Sequence, residues 1–456
     1  MQKRLLILLG ILLGLIIMGI FALPIALKAI PPRYAARYLP EPLQAMAAPE
    51  QSSPILPTVA QQADISLLLN SEEGALAIAE SNIPPTFTPV SIQSSEEISE
   101  TAVVEPTAEI IPPTFTPEPT ATPTPTMVPI PTNARIEGVH HEFQEWNNCG
   151  PATLAMTLSV FGMNLHQSDT AAVLKPNPED RNVTPFEMAS YVNEETNLQA
   201  INRVNGNEDM IKRFIANNIP VILEIGIEPP GELRWMGWYG HYMLVVAYND
   251  DKQEFNVYDS WLGTGNEPLT NSDPNGRILT YEELKTNWPH FNRNYIAVYQ
   301  PEQAELVANI IGADMNEQVM WQNAREVAQK EASQNPENPF YWFNLGTSNN
   351  ALGEHELAAA AFDQARSIGL PWRMLWYQFG PYEAYYQVGR YDDVILLANV
   401  TLDDRPYFEE SFYYKGLAQA ALGDVAASRN NLQRAADFNP NFEAPFIALQ
   451  QLDSAN

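Results

Sequence analysis

Across residues 133–302 the spacing of apolar positions changes from a helical period to a strand period. Leu154, Leu158 and Phe161 recur at helical spacing behind Cys149, and Gly162 supplies a stop. Thr184-Pro185-Phe186-Glu187 is a capping box with proline at the first helical position, which predicts a helix to about Glu194. Met210, Ile211, Phe214 and Ile215 mark another helical face. The pattern then turns to strands: residues 220–226, an apolar run opened by His241, a short run ending at Asp259, and residues 294–299. A second capping box, Thr280-Tyr281-Glu282-Glu283, lies between the last two. Helices first and antiparallel strands afterwards give an α+β fold class.

Beyond residue 303 the chain becomes rich in Ala, Leu and aromatics at helical spacing, with a self-similarity of about 34 residues. Gly346, Gly380 and Gly416 fall at matching places, as do Pro371, Pro406 and Pro440. The first unit carries Trp342, Leu345 and Gly346, then Ala358, Phe362 and Ala365; the second has Trp376, Gly380 and Leu396; the third has Phe412, Gly416, Leu432 and Ala435. This resembles the tetratricopeptide repeat, in which helix pairs stack because none can bury its apolar face alone. Residues 304–331 are expected to form one capping helix and residues 443–452 the other.

The other end of the chain has different physics. Residues 5–27 run apolar behind Lys3 and Arg4, long enough to cross a hydrocarbon core of about 30 Å, so a signal anchor is expected over residues 1–30. Residues 31–132 are rich in Pro, Thr, Ser and Ala, and Ile-Pro-Pro-Thr-Phe-Thr-Pro occurs twice, at residues 83–89 and 111–117. Such a segment buries too little apolar surface to offset its ordering entropy, so a disordered Pro/Thr-rich stalk is expected, with a weak helix at residues 63–79. An anchor and a stalk together lead us to expect extracytoplasmic folded domains, while Lys28, Arg33 and Arg37 balance Lys3 and Arg4 and leave the orientation open. The formal charge of −30 argues against nucleic acid as a partner.

Cys149 is the only cysteine in the sequence, so no internal disulfide exists. It stands where a polar loop gives way to the first helical pattern, with Pro151 in the first turn. At a helix N-terminus the unpaired N–H groups and the dipole favour a thiolate. Gln144, five residues upstream, is positioned to bring a side-chain amide donor beside the sulfur, as an oxyanion hole requires. His241 and Asp259 lie on two apolar runs joined by the turn at Asn249-Asp250-Asp251, which would carry both side chains to one edge of a sheet. Cysteine, histidine and an orienting acid are the parts of a thiol nucleophile.

These residues carry a resemblance. Gln144-x4-Cys149-Gly150-Pro151-Ala152, then Gly240-His241-Tyr242, then Val257-Tyr258-Asp259-Ser260-Trp261 resemble the bacteriocin-processing, double-glycine peptidase family over roughly residues 136–302. The resemblance implies a papain-like cysteine peptidase with Cys149 as nucleophile, His241 as general base and acid, Asp259 as its orienter and Gln144 as oxyanion donor. Asn148 stands where family members fused to exporters often carry an acid, and the exporter's membrane and nucleotide-binding parts are absent. The implied reaction is peptide-bond hydrolysis on a peptide or protein substrate, with no cofactor, while the repeats bind substrate or a protein partner. Two rivals share the same residues: a catalytically silent scaffold acting through its repeats, and acyl transfer from the same thioester. His140-His141 beside Glu142 lacks a second ligand cluster for a metal. Arg234-Trp235-Met236-Gly237-Trp238-Tyr239 either walls a substrate cleft or packs under the sheet.

Overall fold

The computed structural model describes residues 129–179, 183–230 and 236–454, with isolated positions between residues 22 and 68. Its strands are β1 (Asn133–Arg135), β2 (Gln199–Arg203), β3 (Val221–Ile227), β4 (Tyr239–Asn249), β5 (Glu254–Tyr258), β6 (Arg277–Thr280) and β7 (Tyr295–Tyr299). They form one antiparallel sheet in the order β2-β7-β3-β4-β5-β6, while β1 pairs with the far end of β4, past the start of β3.

The pleat sorts the sheet's side chains into two cores. Ile222, Leu244 and Val246 pack with Leu154 and Leu158 of α1 (Cys149–Ser159) and with Met188 and Val192 of α3 (Pro185–Glu195). Between those helices lies α2 (Gln167–Leu174), which its polar composition had hidden from the periodicity. On the opposite face Val221, Leu223, Met243 and Val245 meet Met210, Ile211, Phe214 and Ile215 of α4 (Glu208–Ala216). Buried on both faces, β3 and β4 read as continuous apolar runs rather than alternating ones. Both expected capping boxes form, Thr184 with Glu187 at α3 and Thr280 with Glu283 at α5 (Tyr281–Asn287).

An all-α region follows the sheet: α6 (Ala304–Ile311), α7 (Glu317–Gln334), α8 (Pro339–Ala351), α9 (His355–Ile368), α10 (Gly380–Gln387), α11 (Tyr391–Asp404), α12 (Glu409–Ala421), α13 (Val425–Phe438) and α14 (Glu443–Ser454). The single helix expected over residues 304–331 is two, because Gly312 turns left-handed at φ 67° and Asn316 caps a new helix. The repeated glycines are points of close helix approach. A Cβ on Gly346 would lie 2.7 Å from the Phe362 ring, and one on Gly416 would lie 2.8 Å from Leu432. Trp376 departs from the repeat pattern. It belongs to a short 3₁₀ segment, Trp372–Trp376, and Pro381 then starts α10 late.

The helical region docks directly on the sheet. Trp238, just ahead of β4, stacks on Phe291 and on Phe340 of α8, and Asn344 donates to the Pro289 carbonyl at 2.6 Å. Arg293 and Glu331 form an ion pair across the same seam. Part of the expected stalk also packs here: Leu56 is fully buried, its N–H bonds to the Leu370 carbonyl at 2.9 Å, and Ile55 bridges Pro371. Among the described residues no helix is long and apolar enough to cross a membrane. Most of the expected anchor and most of residues 31–132 lie outside the described residues, as do Arg234 and Trp235.

Candidate active site

The loop ahead of α1 is built to present Cys149. Asn147 takes a left-handed φ of 55°, a conformation asparagine tolerates better than most residues, and turns the chain into the helix. Asn148 occupies the N-cap position but makes no side-chain cap. Its Oδ1 instead accepts from Lys175 Nζ at 3.1 Å, and the same ammonium donates to the Asn147 carbonyl at 3.0 Å. The first turn of α1 carries no acidic side chain either. Cys149, the first residue of the helix, is partly exposed.

His241 comes from β4 and Asp259 from the residue just past β5. Tyr258 pairs with Leu244, so Asp259 falls diagonally from His241 on the same face of the hairpin. His241 Nε2 lies 2.7 Å from Asp259 Oδ1, and both residues are buried. Asp259 also accepts from the N–H groups of Trp261 and Leu262 at 2.8 and 2.9 Å, and from Arg277 on β6 at 3.0 Å. Burial alone would raise the Asp259 carboxyl, but the His241 charge and hydrogen bond, Arg277 and the Leu262 N–H outweigh it and hold the group well below the usual carboxylate range. Burial alone would likewise depress His241. The Asp259 carboxylate and the Cys149 thiol together raise it to about 9. Since Nε2 serves Asp259, Nδ1 is the ring atom left for the sulfur.

Gln144 is anchored twice to Ser260. Its N–H donates to the Ser260 carbonyl at 2.7 Å, and its Oε1 accepts from Ser260 Oγ at 3.1 Å. Gln144, Cys149 and His241 line one cleft, with Tyr239, Trp261 and, from the helical region, Trp376 and Tyr377. All four expected site residues thus come together, three in the cleft and Asp259 behind His241. Lys175, Arg277 and Tyr377 went unnoticed in the sequence, and Ser260 and Trp376 were read there only as parts of a motif and a repeat; Lys175, Arg277, Trp376 and Tyr377 reach the site through tertiary packing rather than local spacing.

Of the Arg234–Tyr239 stretch, Tyr239 walls the cleft, whereas Met236 and Trp238 pack in the core. His141 supports the acid from behind, with Nε2 2.8 Å from the Asp259 carbonyl oxygen and its ring edge-on to Tyr258. Among the described residues no group of three His, Cys, Asp or Glu is arranged to hold a metal ion. His290 is a half-buried packing residue, stacked on Phe340 and accepting from Trp238 Nε1 at 3.2 Å, with burial lowering it to about 3.

Comparison with known proteins bears on the part of the chain that holds this cleft. Residues 136–300 match the Peptidase_C39 like family. The chain carries a C39-like peptidase domain. Among solved structures, a C39-like peptidase from Bacillus anthracis is similar at 14% identity, covering 37% of this chain and 98% of that one, with a TM-score of 0.28. MamA from Desulfovibrio magneticus RS-1 (residue 41 to the end) is similar at 16% identity, covering 34% of this chain and 85% of that one, with a TM-score of 0.28. A MamA RS-1 ArsTM double mutant gives 15%, 34%, 85% and 0.28 for the same quantities. No curated protein matches the chain. The matched range of the peptidase domain contains Gln144, Cys149, His241 and Asp259 but stops well short of Trp376.

Proposed function

We propose that the chain is a papain-like cysteine peptidase that hydrolyses peptide bonds through Cys149, His241 and Asp259, with Gln144 as oxyanion donor. The observation that carries this reading is the contact of His241 with both neighbours, the buried carboxylate at 2.7 Å on one side and the Cys149 thiol on the other. A histidine raised to about 9 stays protonated at neutral pH, which is the state that stabilises a thiolate beside it and can donate to a leaving amine.

In this reading the Cys149 sulfur attacks the scissile carbonyl carbon, and the carbonyl electron pair moves to oxygen. The Cys149 N–H and the Gln144 amide NH₂, whose carbonyl end Ser260 holds, stabilise that oxyanion. Loss of one such donor costs about 10²–10³ in rate. His241 passes its proton to the amine as the C–N bond breaks, leaving a thioester. Water then attacks, His241 takes its proton, and the acid departs as the thiolate returns. Asp259 holds the ring in place throughout and stays ionised. We further place this domain at residues 133–302 and stacked tetratricopeptide-like helices at residues 303–456. The latter serve as a protein-binding surface, and residues 1–30 and 31–132 as anchor and stalk.

The test is the rate of Cys149 alkylation against pH in the full chain and in His241→Ala. Because Cys149 is the sole thiol, the signal is unambiguous. Fast alkylation well below the ordinary thiol range near ~8.5, slowed in the variant, is expected. An ordinary thiol indifferent to His241 would overturn the mechanism.

A further inference from the structure

The cleft is not closed by the peptidase domain alone. Its lining takes Trp376 and Tyr377 from beyond α9, and the space left beside Cys149 and His241 has a volume of about 20 Å³. That is room for roughly one water. We propose that Trp376 and Tyr377 are specificity-determining residues, forming a wall that bars bulky groups from Cys149 and admits chain segments with little side-chain bulk on that side. This rests on the peptidase reading given above.

Three separate holds make the wall a built feature. Arg373 donates to the carbonyls of Met236 and Trp238, both at 3.0 Å, and its guanidinium lies 4.0 Å from the Tyr239 ring centroid. These bonds fasten the 3₁₀ segment to the chain just ahead of β4. On its other side Trp376 packs against Phe408, with ring centroids 5.7 Å apart, so the indole is buttressed from within the helical stack. The third hold is an absence: Gly240, next to His241, has no side chain, and a Cβ there would lie 3.0 Å from the Tyr377 ring. Tyr377 and Phe291, whose Cζ would lie 2.5 Å away, share the ground that a side chain at position 240 would fill. Trp376 is 4% exposed, so little freedom remains for the ring to swing aside.

The experiment needs no substrate. The full chain is alkylated at Cys149 with iodoacetamide and with a fluorescein iodoacetamide, which share one warhead and differ in bulk. The ratio of the two rates is compared among the native chain, Trp376→Ala, Trp376→Leu and Tyr377→Ala. The native chain is expected to disfavour the bulky reagent, and Trp376→Ala to relieve that preference about tenfold or more, with little change for iodoacetamide. Trp376→Leu keeps apolar packing and should lie between. A native ratio equal to that of free cysteine, or variants that speed both reagents alike, would overturn the wall. His241→Ala is compared on iodoacetamide alone, because His241 itself lines the cleft. Loss of the peptidase reading therefore shows as His241 indifference, and loss of this one as absent size discrimination.

Discussion

His241 Nε2 sits 2.7 Å from Asp259 Oδ1, with side-chain exposures of 2% and 0%. An imidazolium so placed ties stability to pH. The histidine is raised from 6.5 to about 9, so its contribution is complete below about pH 6.5 and is lost as pH climbs through 9. His241→Gln is therefore expected to be least stable relative to the native chain at pH 5–6. By pH 9 or above that gap should have narrowed by roughly 3 kcal/mol. Urea unfolding at pH 5.5, 7.5 and 9.5 reads it directly, and a gap that does not move with pH would contradict a charged His241.

Arg277 acts on the acid side of the same pair. Asp259 is held low, so its contribution is present above the ordinary carboxylate range and is lost as pH falls through its depressed value. Arg277→Gln removes one of the partners that depress it. The variant is expected to lose about 1–3 kcal/mol at pH 7, with the deficit fading towards pH 2. Acid titration of stability checks this; an equal deficit at both ends would assign Arg277 to packing alone.

Glu224 lies in the middle of β3, opposite Tyr242, and is fully enclosed. Burial first, then the neighbouring Cys149 charge, push its carboxyl well above the ordinary range. The unfolded chain ionises it from about pH 4.5, and the native chain loses relative stability as pH rises from there. Glu224→Gln keeps the shape without the proton. It should gain on the native chain as pH rises above that point, measured by thermal or urea unfolding. A variant that tracks the native chain at every pH would mean Glu224 is ionised.

Gly240→Ala tests the seam. Its Cβ would meet Phe291 Cζ at 2.5 Å and Tyr377 at 3.0 Å, two rings held by their own packing. Overpacking of this kind costs about 1–3 kcal/mol, and displacement of Tyr377 should quicken alkylation of Cys149 by the bulky reagent. Unchanged stability and unchanged alkylation together would show that the seam yields freely.

How much of this was legible in the sequence depended on distance along the chain. Helices α1, α3 and α4 and strands β3, β4 and β7 announced themselves by apolar period, and Thr184 and Thr280 by their capping boxes. Strand β2, Gln-Ala-Ile-Asn-Arg, has almost no apolar pattern; its pairing with β7 makes it a strand. His241 and Asp259 were readable because a short turn joins their strands; the register, which shifts between Val245 and Ala247, was not. Arg277 reaches Asp259 only through the β5–β6 pairing, which no local motif marks. Trp376 was misplaced for the same reason. Its spacing fits a repeat helix, yet Pro371 and Pro381 hold that stretch out of the stack and against another part of the molecule.

The order of these parts along the chain has a consequence in time. Cys149 emerges from the ribosome roughly 230 residues ahead of Tyr377, which at about 5–20 residues per second is an interval of roughly ten to forty-five seconds. His241 and Asp259 follow by about the middle of that interval, so the sulfur's proposed partners are made before the aromatic screen exists. Each newly made copy passes through a stage in which Cys149 has been made and its aromatic wall has not.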